Sequence, residues 1–199
     1  MGNEVFLFLK NKLKLPINRD KSGIRRPVNF KLLGYEFVPT YEKGTKGKYQ
    51  LVVSEGGWKE LKTKIRTLTR KTSALSVAER TAQLKSVQRG WVNYFRLASI
   101  VGKLGAIDSW VRNRLRYCIW KDWKKPERRR KNLLRLGVDS HHAYAWSRTR
   151  KGGWAIAQSP ILTTTITLER LAKRGYESLL DYSLQVRPEQ QFMGLSFTS

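Results

Sequence analysis

The sequence predicts a mainly α protein: a three-helix bundle preceded by a short β hairpin and followed by a smaller helical C-terminal unit. Two observations carry that expectation. Apolar residues recur at three- and four-residue spacing in three successive segments, as they do on the buried stripe of an amphipathic helix. Ahead of them, two β-prone runs flank a glycine-containing loop, as in a hairpin.

Taken in order, residues 3–15 (NEVFLFLKNKLKL) read as a short helix that stops before Pro16. Asn18 to Asn29 form a polar, basic link. KLLGYEFV (31–38) and YQLVV (49–53) are the two β-prone runs, and a lone hairpin is marginal in water, so it must pack on something. Trp58, Leu61, Ile65 and Leu68 then mark the first helix of the bundle, with Lys59, Arg66 and Arg70 on its opposite face. Ser76 with Glu79 predicts a capping box, opening a helix with Val77, Leu84, Val87, Trp91 and Tyr94/Phe95 on one stripe. The third helix aligns Leu104, Ile107, Val111, Leu115 and Cys118 and ends near Pro126. PERRRKNLLRLG is a short basic helix closed by Gly137, and residues 139–150 form another with Asp139 or Ser140 as its cap. GGWAIAQSP (152–160) reads as a turn and a short apolar stretch. Thr165 to Arg174 and Tyr176 to Leu184 read as two small helices divided by Gly175, before a frayed tail from Arg187.

The chain has 199 residues and a formal net charge of +25, from 40 Lys+Arg against 15 Asp+Glu. Such an excess repels itself in a compact fold unless a polyanion neutralises it, which makes nucleic acid the expected partner. The basic residues run through almost every segment rather than along one amphipathic helix, so no membrane attachment is expected. Seven Trp and eight Tyr can build cores or stack on bases. The single Cys118 excludes an internal disulfide and a cysteine-based zinc site, and no signal peptide is visible, so the expected location is cytoplasmic.

Catalysis finds little support. Two-metal nucleotidyl transfer needs clustered carboxylates, and Asp20, Asp108, Asp122, Asp139 and Asp181 are scattered singly. His141-His142 is the only histidine feature, and neighbours in a helix point about 100° apart, which makes a poor chelate. No catalytic residue, metal site or cofactor is therefore expected. Interleaving of basic and aromatic residues is the stronger signal. Arg112, Arg116, Trp120 and Trp123 fall in one sector of the third helix, where guanidinium groups can pair with phosphates. For Trp120 and Trp123, core packing and base stacking are equally open. The run KDWKKPERRRKNLLR (121–135) has eight basic and two acidic residues and is expected to contact RNA through Lys124, Lys125, Arg128, Arg129, Arg130 and Lys131.

The stretch WKELKTKIRTLTRKTSALSVAERTAQLKSVQRGWVNYFRLAS (58–99), followed by LGAIDSWVRNRLRYCIWKDWKK, closely resembles the maturase-specific, or X/thumb, domain of group II intron-encoded reverse transcriptases. Trp58-x-x-Leu61, Gly90-Trp91-Val92-Asn93-Tyr94-Phe95 and Asp108-x-Trp110-Val111-x-x-x-Leu115-Arg116 match that family in order and rough spacing. LPINRDKSGIRRPVNFKLLGYEF (15–37) resembles the end of the palm, so the resemblance spans roughly residues 5–185. It departs in lacking the Tyr/Phe-Ala-Asp-Asp motif, and the residues before Val5 leave no room for fingers and palm.

The resemblance implies a residual end of palm over residues 1–53, a maturase-specific thumb over 54–137, a C-terminal helical extension over 138–186 and a tail over 187–199. It implies RNA binding in aid of folding and splicing of a group II intron, without polymerase activity of its own. The implied partners are structured intron RNA, an RNA/DNA duplex, and a separate fingers–palm polypeptide. Lys59, Arg66, Arg70, Arg112 and Arg116 join residues 124–131 as the expected RNA contacts. Two alternatives stand beside this: the thumb part of a split reverse transcriptase, and a non-functional remnant of a mobile element.

Overall fold

In a computed structural model, described over residues 2–16, 18, 23, 26–40, 49–70 and 72–186, the chain is mainly helical with a small antiparallel sheet near its N-terminus. Helix α1 (Gly2–Asn11) ends four residues earlier than the sequence predicts, where the chain turns through Lys14 at φ 53°. A single 3-10 turn at Pro27–Asn29 leads into the sheet.

The sheet has three strands rather than the two expected. β1 (Lys31–Leu32) and β2 (Tyr35–Pro39) pair through a two-residue turn, and β2 pairs with β3 (Tyr49–Val53), giving the order β1-β2-β3. Register runs Leu32 opposite Tyr35 and Phe37 opposite Leu51. Leu33 (φ 52°) and Gly34 (φ 80°) both take left-handed backbone, the geometry that matches a hairpin to strand twist. Leu33 hides this signal, because a β-rich run interrupted by leucine reads as one strand. Gly34 is required twice over: its φ is positive, and a Cβ there would lie 3.2 Å from Phe95 Cζ.

The body begins at Ser54, whose side chain caps α2 (Glu55–Leu68) by accepting from the Gly57 amide. α3 (Val77–Tyr94) opens on the expected reciprocal capping box of Ser76 and Glu79. α4 (Val101–Asp122) buries the expected Leu104, Ile107, Val111, Leu115 and Cys118. α5 (Pro126–Arg135) closes in a Schellman turn: Gly137, at φ 88°, donates to Leu134 O and Val138 donates to Leu133 O. Asp139, one of the two candidates, caps α6 (Ser140–Ser147).

Residues 152–160, read in the sequence as a turn and an apolar stretch, fall in two helices, α7 (Gly153–Gln158) and α8 (Pro160–Thr163). They are too short to show a period and gain their order by packing, α7 chiefly on α4. α9 (Leu168–Ala172) and α10 (Leu179–Val186) follow on either side of Gly175, at φ 91°. The expected tail from Arg187 lies outside the described residues.

One apolar core runs from Val53 and Trp58 through α2, α3 and α4 to Leu162, Leu171 and Leu179. α3 is gripped on two sides, by α2 and by α10, so its buried set is wider than the predicted stripe. Arg80, Thr81, Gln88 and Val92 are buried, while Tyr94 is exposed. Arg80 donates from Nη2 to Ser73 O and Leu75 O, and Thr81 donates to Arg174 O, whereas Arg80 Nε and Gln88 Nε2 are buried without a hydrogen-bond partner. Among the described residues, the most heavily bonded polar side chain is Asp108 of α4, 1 % exposed. Its carboxylate accepts from Tyr176 Oη, Ser178 Oγ and the amides of Leu179 and Leu180, at 2.7–2.9 Å. A buried charge thus sits at the positive end of α10. Burial, then the Asp108 carboxylate, pushes the Tyr176 phenol well above its usual range.

Candidate nucleic-acid interface

The first basic face belongs to α2. Lys59, Lys62 and Arg66 recur at helical spacing and, with Arg70 just past the helix, are all exposed. Lys64 is set aside by a 2.7 Å pair with Glu60. The end of this helix is held by a residue that local patterning does not single out. Arg114 of α4 donates from Nε to Thr69 Oγ1 (2.9 Å) and from one Nη to Thr69 O and Arg66 O (2.9 and 3.3 Å). Its guanidinium satisfies the terminal carbonyls of α2 and opposes their partial negative charge.

Arg114 is also part of a stripe along α4. Trp110, Arg114, Tyr117 and Lys121 stand on one side of the helix, within about 60° of one another. Arg66 lies 5.7 Å over Trp110, Arg114 lies 6.0 Å from Tyr117 and 5.9 Å from Trp154, and Lys121 lies 5.8 Å from Tyr117. α7 approaches closely here: a Cβ on Gly153 would come within 2.9 Å of Lys121 Cε and 3.2 Å of the Tyr117 ring. The result is a row of alternating cations and part-exposed rings joining α2, α4 and α7. Rings so placed can stack on bases while the exposed Arg66 and Lys121 pair with phosphates.

A third group lies on α5 and α6. Lys124, Lys125, Arg128, Arg130 and Lys131 are exposed as expected. Arg129 is not free: its Nε donates to Trp123 O (3.0 Å), its plane lies 4.5 Å over Trp120, and burial lowers its pKa. The exposed ring of Tyr144 is flanked by Arg148 at 3.9 Å and Arg130 at 5.7 Å.

Three residues weighed in the sequence as RNA contacts are buried. Trp120 and Trp123 are 2 % and 7 % exposed, so of the two readings left open for them the fold has core packing. Arg116 is 8 % exposed, with Nε donating to Ile166 O and Nη1 to Asn113 Oδ1, which withdraws it from solvent. Ile166 covers Arg116, and Arg129 of α5 lies over Trp120, packings that no local pattern reveals. Arg112 is partly exposed. The stripe at 110, 114, 117 and 121 had a signal of its own, the regular three- and four-residue spacing. Trp154 and Arg174, by contrast, reach the surface groups they join only through the tertiary fold.

As for metals, the donor atoms of Asp139, His141 and His142 lie within 4.8 Å of one another, all exposed. Asp139 is already engaged, accepting from the His142 amide (3.0 Å) and lying 2.6 Å from His142 Nδ1, contacts that hold its carboxyl below the usual range. The buried Cys118 thiol is pushed up by desolvation and donates to Thr69 O. No described helix is long and apolar enough to cross a membrane.

Fold and surface together define a class: a mainly helical, strongly cationic bundle whose outward cations alternate with aromatic rings. Within that class, residues 58–137 match the family model for the group II intron maturase-specific domain. That segment, from Trp58 in α2 to the Gly137 turn after α5, is the part of the chain similar to that domain, consistent with a C-terminal maturase/thumb portion of a group II intron reverse transcriptase. No curated protein matches the chain.

Proposed function

We propose that this protein binds structured group II intron RNA and assists its folding and splicing, without polymerase activity of its own. The observation that carries this reading is the stripe of Trp110, Arg114, Tyr117, Lys121 and Trp154, which continues the cationic face of α2 through Arg66. Exposed lysines and arginines in such excess release counterions when they meet phosphate, and that supplies affinity without base reading. Binding the splicing-competent fold more tightly than its competitors then stabilises it by mass action.

The test is affinity for a group II intron RNA as a function of salt, by fluorescence anisotropy. Affinity should fall steeply with salt. Replacing Lys59, Lys62, Arg66 and Arg70 with Ala should make the log–log slope shallower by about one for each phosphate no longer neutralised. An unchanged affinity and slope would remove α2 from the interface and undo the reading. The same protein should accelerate splicing of the intron at low Mg²⁺ and should extend no primer.

A second reading is favoured by the N-terminal region. Val5, Leu7, Phe8, Leu32 and Leu33 are large apolar residues 50 % or more exposed, which is costly in isolation. A separate fingers–palm polypeptide covering them would make the chain one part of a split reverse transcriptase. Co-purification with such a chain, and primer extension only by the pair, would decide for it.

A further inference from the structure

Between the start of α3 and the end of α4 lies an open cleft of about 410 Å³, within the range typical of small-ligand sites. Val77, Ala78, Ile119 and Trp123 make its apolar floor, and Asp122, Arg128 and Arg174 its rim. We propose that this cleft receives one unpaired nucleotide of a structured RNA, its base on the apolar floor and its phosphate between Arg128 and Arg174. The proposal rests on the RNA-binding reading and deepens it by naming where the protein reads something other than backbone.

The charges favour that occupant. Arg80, Arg89, Arg114, Arg116 and Arg129 are engaged within the protein. Among the described residues, the guanidinium groups of Arg128 and Arg174 have no hydrogen-bond or ion-pair partner. They come from α5 and from the turn before Gly175, far apart in the chain, and both line this cleft. Two unpaired guanidinium groups are well suited to a phosphate. The α3 N-terminus, where Val77 and Ala78 lie, adds its positive end on the same side.

The floor calls for a base rather than phosphate alone. Trp123 is largely covered by the core, and what remains uncovered of it lines the cleft beside three small or aliphatic side chains. A duplex keeps its bases stacked and its edges turned inward, so only a bulged, looped or extruded nucleotide could fill such a space. Asp122 on the rim can accept from an exocyclic amino group, as carboxylates do from cytosine N4.

The experiment compares two hairpin RNAs with the full chain, one fully paired and one carrying a single bulged 2-aminopurine. Binding at least tenfold tighter to the bulged hairpin is expected, with quenching of the 2-aminopurine as it meets the indole. Ala78→Trp, which fills the cleft but leaves both arginines and the Ser76 cap in place, should abolish that preference and keep binding to the paired hairpin. Arg128→Ala combined with Arg174→Ala should also remove most of the preference, which keeps the test informative should the tryptophan variant not fold. If neither hairpin binds, the RNA-binding reading itself falls, and the cleft with it. If both bind equally, or if Ala78→Trp, folded by circular dichroism, keeps the preference, the cleft proposal alone falls. It also falls if the preference appears only when residues 187–199 are deleted, since the cleft would then be filled by the chain's own C-terminal segment.

Discussion

The N-terminal sheet and the helical body spend their apolar residues in opposite ways. In β1, β2 and β3 only Val53 is fully buried, while Leu32, Leu33, Val38 and Tyr49 are exposed. In the body, Leu61, Ile65, Leu104, Val111 and Leu133 are wholly removed from solvent. The sheet is fastened at one place. Phe95 packs against Gly34, Gly57 and Tyr35, the Tyr35 hydroxyl donates to Tyr94 O, and Ser54 N donates to Gly34 O. Ser99 N donates to Leu51 O beside it. The body instead is cross-braced by charged groups buried with their partners, above all Asp108. A clamp of rings and a buried carboxylate are two different ways of holding an appendage, and they should fail differently.

The largest effect is expected at the clamp. Phe95→Ala removes a buried ring touching both glycines and should cost about 3–5 kcal/mol, lowering Tm by roughly 10 °C. Amide exchange should quicken most in residues 31–53 and least in α4. Uniform quickening would show that sheet and body open as one unit, and the contrast would be gone.

Asp108→Ala should come next. It leaves the Leu179 and Leu180 amides and the Tyr176 hydroxyl without an acceptor, for about 3 kcal/mol. Exchange should rise in α10 while the sheet keeps its protection. If the sheet loosens equally, the two attachments are coupled after all.

The smallest effect sharpens the comparison through pH. Arg89 holds the Glu177 carboxyl below its usual range, donating from Nε and Nη2 at 2.7 and 2.6 Å, with Lys85 nearby. A lowered folded pKa means the stabilisation is present above the unfolded value, about 4.3, and is lost as pH falls through the folded one. Because the pair is open to solvent, its contribution is the smallest of the three. Thermal melts from pH 7 to 3 should show Glu177→Gln less stable at neutral pH and the two proteins converging in acid. Parallel curves would mean Glu177 does not tie α3 to the approach of α10.

What could be read in the sequence was whatever local chemistry decides. The α4 apolar stripe, the Ser76–Glu79 box and the Gly137 turn each depend on residues within a few positions of one another. The Leu33–Gly34 turn was lost because leucine seldom adopts left-handed backbone. α7 and α8 were lost because four to six residues show no period. In the interface, the exposed cations of α2 and α5 followed from charge and helical phase. Trp120, Trp123 and Arg116 did not, because their covers come from tertiary packing: Ile166, fifty residues on, for Arg116, and Arg129 of α5 beside the two tryptophans.

Asp108 also sets a clock. Its four donors come 68 to 72 residues later in the chain. At roughly 5–20 residues per second, a ribosome needs about 4–14 s to cover that distance. For those seconds the carboxylate has no donors to accept from and remains in water, so α4 cannot settle its final packing as soon as it is made. The last turn of the fold is therefore written in at residue 108 and executed at 179, and any pause between the two prolongs the half-finished state.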